Sequence, residues 1–231
     1  MIDSCGRNID YLRLSVTDLC NYRCRYCMPE EGVCKQTHSE ILSLEELEAI
    51  ARAAVALGIT KIRLTGGEPL VRRGIVELCR RLRRIPELRE LCLTTNGSLL
   101  PDLAVPLREA GVDRLNISLD TLRPERFTQM TCRGELGQVL EGLAAAEKAG
   151  FTNLKLNTVL IGGFNDDEIS DFVRLTQVHP WEVRFIELMP MGPCAQWDHS
   201  CFLPNTTVLR HCPELRALPA RGVARRYRIP G

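Results

Sequence analysis

Aromatic residues make up 5% of this 231-residue chain, and lysine occurs only at Lys35, Lys61, Lys148 and Lys155. Positive charge is carried almost wholly by arginine, yet 30 basic residues face 29 acidic ones, for a formal net charge of +1. A chain so balanced projects no global field of the kind that gathers a nucleic acid. The arginines of the stretch 80–84 read instead as one solvated helix face. No apolar run approaches the roughly 20 residues that cross a bilayer as a helix, and no segment repeats at a solenoid period. There is no Gly-x-Gly-x-x-Gly turn to mark a dinucleotide fold. Gly162-Gly163-Phe164-Asn165-Asp166 lacks the lysine of a phosphate-binding P-loop and reads as a plain turn. The opening Met1-Ile2-Asp3-Ser4 leads straight into polar sequence, so no signal peptide is expected. The expectations are no nucleic-acid partner, no membrane and a cytoplasmic location.

Cysteine, by contrast, is plentiful, with eleven in the chain. A disulfide framework is not expected, because the chain is long and alternates strand with helix patterns throughout. Cys79, Cys92, Cys132, Cys201 and Cys212 are scattered and are expected to act as small apolar side chains.

Strand patterns at 11–16, 61–65, 91–95, 114–119, 154–160 and 182–188 alternate with helix patterns at 44–57, 75–85, 102–110, 135–148 and 167–177. Ser43 with Glu46 makes a capping box, and Gly58 and Gly150 stand where their helices should stop. Strands separated by helices of this length imply right-handed crossovers and a parallel sheet. The expected fold class is α/β, a partial (β/α)6 TIM-like barrel, since a full eight-stranded barrel needs more chain. Residues 1–190 are assigned to the barrel and 191–231 to the start of a C-terminal extension.

Within the strands, Leu12, Leu14 and Val16 share one face while Arg13, Ser15 and Thr17 share the other. Ile62 and Leu64 oppose Arg63 and Thr65; Leu115, Ile117 and Leu119 oppose Asn116, Ser118 and Asp120; Leu154 and Leu156 oppose Lys155 and Asn157. Helices must cover the apolar face of a parallel sheet, so the polar face points into the barrel. Arg13, Arg63 and Lys155 are then expected to converge there. Unpaired buried cations are costly, so the interior should accept an anion, best a phosphate-rich small molecule.

Cys20, Cys24 and Cys27 follow the first strand in Cys-x3-Cys-x2-Cys spacing. Three thiolates on one tight loop can hold an iron–sulfur cluster that normally takes four, leaving one iron open to a small molecule. The alternative is a structural zinc site with Cys34 as the fourth ligand, although zinc knuckles usually pair two Cys-x2-Cys units. Thr65-Gly66-Gly67-Glu68-Pro69 follows the second strand; its glycines allow close backbone approach, and Glu68 offers a carboxylate to a cationic amine. Thr94-Thr95-Asn96-Gly97 and Asn116-Ile117-Ser118-Leu119-Asp120 read equally well as turn and helix-start chemistry.

With Tyr26 before its last cysteine, the triplet resembles the signature of radical S-adenosylmethionine (radical SAM) enzymes, and the glycine pair with Glu68 resembles their amine-holding motif. The run 12–18 before Cys20, Cys27-Met28-Pro29 after it, 61–70, 94–97, 116–120 and 184–189 are together similar, in order, to the molybdenum cofactor biosynthesis protein A family of GTP 3′,8-cyclases. That resemblance runs from near Arg7 to about Tyr227. It implies a radical SAM partial barrel in which Cys20, Cys24 and Cys27 ligate a 4Fe–4S cluster. Tyr26, Gly67, Glu68, Ser118 and Met189 would line the S-adenosyl-L-methionine site, and Arg13, Arg63, Thr94, Lys155 and Arg184 would contact GTP. A 5′-deoxyadenosyl radical would take hydrogen from C3′ of GTP, and the ribose carbon would then attack C8. The partners implied are GTP and a reductant for the cluster; a homodimer is left open.

One departure stands against the match. The family holds a second cluster with a Cys-x2-Cys pair and a further cysteine, whereas the late cysteines here are Cys194, Cys201 and Cys212, without that spacing. The chain is therefore expected to be truncated before the second cluster, to bind S-adenosylmethionine and the GTP triphosphate, and to cyclise GTP poorly or not at all. Two rival readings are a radical SAM enzyme acting on a peptide and a non-catalytic zinc- or nucleotide-binding fragment.

Overall fold

The computed structural model describes residues 2–33, 40–221 and 224–230. Six parallel strands stand in sequence order: β1 (Tyr11–Ser15), β2 (Lys61–Thr65), β3 (Glu90–Thr95), β4 (Arg114–Ser118), β5 (Lys155–Leu160) and β6 (Glu182–Glu187). β1 and β6 do not pair, so the barrel is open. The crossovers carry α1 (Leu44–Ala56), α2 (Ile75–Arg83), α3 (Leu100–Glu109), α4 (Pro124–Thr131), α5 (Leu136–Lys148) and α6 (Ile169–Val178). After β6 come α7 (Thr206–His211) and an antiparallel hairpin of β7 (Arg216–Arg221) and β8 (Ala224–Arg228).

Local chemistry explains the boundaries. Ser43 and Glu46 form the reciprocal capping box at the start of α1. The sequence pattern passed over α4, whose apolar positions Phe127 and Met130 are too few for a clear stripe; Pro124 at its first turn starts it. It also passed over α7 and the hairpin, which carry no hydrophobic run. Residues beyond 190 fold back onto the barrel: the Gly162 amide donates to the Cys201 carbonyl, and Ile161 bridges to Phe202.

The alternation resolves as expected. Leu14, Ile62, Leu64, Leu91, Leu93, Leu115, Ile117, Leu154 and Leu156 are buried in one core under the helices. Parallel register sets Arg13 beside Arg63, then Cys92, then Arg114 on the inner face. Among the described residues, no helix is long and apolar enough to cross a membrane.

Candidate functional site

The cysteine loop leaves β1 at the carboxyl-end rim of the barrel. Its backbone is fastened to the helix missed in the sequence: the Arg23 and Arg25 amides donate to the carbonyls of Thr131 and Met130, at the end of α4. Arg23 braces the turn from within, donating to the Cys20 carbonyl at 2.7 Å and the Tyr22 carbonyl at 2.8 Å. The Cys27 amide closes the turn on the Cys24 carbonyl.

Beneath the loop passes Thr65-Gly66-Gly67-Glu68. The Gly67 amide donates to the Thr17 carbonyl and the Glu68 amide to the Leu19 carbonyl. A Cβ on Gly67 would collide with the backbone carbonyls of Asp18 and Leu19, so only glycine lets the two segments lie this close. Glu68 is 2% exposed. Its carboxylate accepts hydrogen bonds from the Leu70 amide, the Thr95 hydroxyl and the Asn96 amide at 2.6–3.0 Å, tying β2 to β3. The carboxylate expected to await an amine is thus engaged by the protein, close enough to Cys20 to raise that thiol's pKa further. Asn96 extends the tie by donating to Asn21 in the loop.

Next to the loop a small cavity of about 30 Å³ is lined by Tyr22, Cys24, Tyr26, Ser118, Asp120 and the end of α4. The Tyr26 hydroxyl donates to Asp120 at 2.8 Å, and the Val159 amide donates to its other oxygen. Burial lifts Asp120 to about 6, against the opposing pull of those two donors. Met189 is exposed beyond β6.

Burial raises the pKa of Cys20, Cys24 and Cys27; Cys27 raises Cys20 further, Cys20 and Cys27 both raise Cys24, and Asp120 and Cys194 add to the rise at Cys27. These thiols would have to surrender protons to a metal centre. Among the described residues, no three Cys, His, Asp or Glu side chains are gathered tightly enough to enclose one metal ion. Three cysteine donors carried on one turn at the rim are the donor set that a cluster with one open iron takes. Cys34, the fourth ligand of the zinc alternative, lies outside the described residues.

Below the rim lies the inner wall. Arg63 stacks over the Tyr11 ring at 5.6 Å and donates to the Thr94 hydroxyl at 3.4 Å. Arg13, in register with it, is exposed on the open edge strand. Lys155 does not join them as a free cation, which corrects the expected convergence: Glu182 holds it at 2.6 Å, and holds Arg184 at 2.6 Å as well. Glu182 stands beside Lys155 in register at the start of β6, close to both cations. Burial pulls Lys155 below its ordinary pKa, against that carboxylate. A cavity of about 680 Å³ opens at this amino-end mouth, lined by Lys61, Arg89, Arg114, Lys155 and Arg226 together with three carboxylates and Trp181.

Two cysteines depart from expectation. Cys92 faces inward, where its sulfur receives Arg114 at 3.4 Å and contacts Glu90 at 3.2 Å. Cys132 is exposed and ends α4 at φ 60°, close enough to Cys24 to affect its titration. Cys79 and Cys212 are buried as small apolar groups, as expected. The residue missed at this wall is Arg114, which the alternation already placed on the side of Asn116 and Ser118. Arg63 Nε, Arg114 Nε and Asn116 Oδ1 are buried without partners. Each such group costs about 1–3 kcal/mol.

Against known proteins, residues 14–176 match the Radical SAM superfamily model. The chain is 53% identical to a GTP 3′,8-cyclase of Peptoclostridium acidaminophilum, an alignment covering all of this chain and 72% of the relative. It is 48% identical to that of Alkaliphilus oremlandii, over all of this chain and 73% of the relative. With that of Geobacter sulfurreducens the identity is 58%, over 90% of this chain and 64% of the relative. Among solved structures it resembles methylornithine synthase, with a TM-score of 0.68 at 16% identity over 86% of this chain and 60% of that one. It also resembles anSMEcpe with bound AdoMet and a peptide, with a TM-score of 0.65 at 17% identity over 87% and 58%. At such identities the structures show the fold alone.

Proposed function

The chain belongs to the GTP 3′,8-cyclase family within the radical SAM superfamily, and on that premise we propose that it binds S-adenosylmethionine at the cysteine rim and GTP along the inner wall. The family implies a 4Fe–4S cluster and S-adenosylmethionine. When bound, that pair supplies one-electron chemistry that removes a hydrogen atom from the substrate. Cys20, Cys24 and Cys27 would hold the cluster, and Tyr26, Gly67, Glu68, Ser118 and Met189 would surround the sulfonium donor. Arg13, Arg63, Thr94, Lys155 and Arg184 would hold GTP.

The observation that carries this reading is vertical order on one face. The thiols stand at the rim, and below them on the same inner wall Arg63 and Arg114 each keep a buried Nε donor unused, although Arg63 also reaches Thr94 and Arg114 pairs with Glu90 at 2.7 Å. A nucleoside triphosphate satisfies both ends, with its anionic tail among the cations and its sugar raised toward the rim. The protein's share is orientation and exclusion of water. Arg63 gives a charged, planar donor set to a phosphate oxygen. Glu182 releases Lys155 and Arg184 as the triphosphate takes its place. The Tyr26–Asp120 pair fixes one side of the rim cavity.

Cys194, Cys201 and Cys212 serve structure: Cys194 donates to the Met189 and Met191 carbonyls, and Cys212 packs under α6. We therefore extend the proposal to these 231 residues generating the initial hydrogen abstraction but completing cyclisation poorly, since Cys194, Cys201 and Cys212 lack the Cys-x2-Cys spacing of a second cluster site. The test is anaerobic reconstitution with iron and sulfide, a chemical reductant, S-adenosylmethionine and GTP. The expected result is GTP-dependent 5′-deoxyadenosine with little pyranopterin product. Absence of 5′-deoxyadenosine from an iron-loaded sample sinks the first claim, and relative-like product turnover sinks the second.

A further inference from the structure

Along β4 the inward residues descend from the rim in the order Asp120, Ser118, Asn116, Arg114. Ser118 and Asp120 line the small cavity beside the cysteine loop. Arg114 lines the large cationic cavity at the other mouth. Successive inward residues on a strand lie about 6.6 Å apart, so Arg114 and Ser118 are separated by about 13 Å. Asn116 stands midway and lines neither cavity. It is 1% exposed, and its amide oxygen has no hydrogen-bond partner. Its register neighbours are Thr94 on β3 and Lys155 on β5.

The surroundings of that oxygen narrow what belongs there. Arg63 Nε and Arg114 Nε, on the same inner face, are donors that also lack partners. Higher on the wall, Glu68 and Asp120 are saturated by backbone and hydroxyl donors. A phosphate satisfies those two Nε donors, on guanidinium groups whose other nitrogens already reach Thr94 from Arg63 and Glu90 from Arg114, but it brings no donor for an amide oxygen, which it would repel. Asn116 needs a ligand hydroxyl or N–H at mid-height, just above the anionic tail. In a nucleoside triphosphate, the group between the phosphates and the rim-facing end is the sugar.

Resting on the reading of the chain as a GTP-binding barrel, we propose that Asn116 is a specificity-determining residue whose amide oxygen accepts a hydrogen bond from a ribose hydroxyl of the substrate. A side chain kept for that purpose contributes nothing to the empty barrel. Leucine, of similar volume and without a buried polar atom, should fit there at no cost to folding.

The test is calorimetric titration of the whole chain with GTP, 2′-deoxyGTP and 3′-deoxyGTP, using wild type, Asn116→Leu and Asn116→Ala, alongside ligand-free thermal melts. The expected result is that one deoxy analogue binds wild type about tenfold more weakly than GTP, the worth of a single good hydrogen bond. Asn116→Leu should lower GTP affinity to that level, leave that analogue's affinity unchanged, and melt at the same or a higher temperature. Equal binding of all three nucleotides by wild type overturns the proposal without any variant. So does a variant that weakens GTP and both analogues alike, or one that melts clearly lower, since that marks a structural role. An Asn116→Leu that does not fold likewise marks a structural role and overturns the proposal, and Asn116→Ala repeats the affinity comparison independently of leucine's shape. Failure of wild type to bind GTP at all sinks the GTP reading and this proposal with it, whereas GTP binding without sugar discrimination sinks this proposal alone.

Discussion

The two faces of the one parallel sheet are built by opposite rules. The outer face is leucine and isoleucine buried under the helices, and no polar atom there lacks a partner among the described residues. The inner face carries Arg63, Arg114 and Asn116 with unsatisfied atoms, and the loop at its rim adds Asp18, Tyr22 and Arg23. The outer face lowers the free energy of the fold. The inner face holds groups that cost stability while the barrel is empty, and under the GTP proposal they gain their partners from the ligand.

The sharpest way to break this contrast is to cut each face and compare. Leu93→Ala, at a fully buried outer position, should cost about 2–5 kcal/mol in urea unfolding, because the helices close only partly over the void. Asp120→Asn should act in the other direction. A carboxyl lifted from 3.8 to about 6 keeps more protons folded than unfolded between those values. Stability is therefore fully present below about 4 and is lost as pH rises through 6, by up to about 3 kcal/mol. The variant should be more stable than wild type above pH 6, with a flatter profile from 4 to 6, and the Tyr26 hydroxyl can turn to accept from its amide. A wild-type curve that rises across that window would contradict the assignment.

Gly67→Ala brings the comparison to the rim. Its methyl group meets the Asp18 and Leu19 carbonyls, so the strain of about 1–3 kcal/mol falls on the cysteine loop. Iron retained after reconstitution should drop while the outer core, followed by near-ultraviolet dichroism, stays intact. Ser43→Ala removes a satisfied polar group from the helical layer and should cost about 1 kcal/mol. Arg63→Met removes a buried, unpartnered Nε together with one long hydrogen bond to Thr94 and the Tyr11 contact, so gain and loss offset; stability should change by less than about 0.5 kcal/mol and GTP binding should weaken. If Arg63→Met costs more than Ser43→Ala, the contrast between the faces fails.

Much of this was legible before any coordinates. The capping box at Ser43 and the alternation of Ile62, Arg63 and Leu64 are short-range signals, and both resolved as read. Other features were not. Nothing near Arg23 in sequence announces that α4 anchors the cysteine loop, more than 100 residues later. Cys92 looked like one more small apolar residue until its strand placed it beside Arg114. Lys155 read as a free cation until the pairing of β5 with β6 set Glu182 beside it.

Strand alternation is a property of the local backbone and helices must cover the apolar side, so the residue order alone sets which side chains face inward. Which of those inward groups are already paired emerges only when the strands assemble. Partnership depends on register between strands and on distances of a few tenths of an ångström, and the chain order of Glu68, Asn116 and Glu182 carries neither.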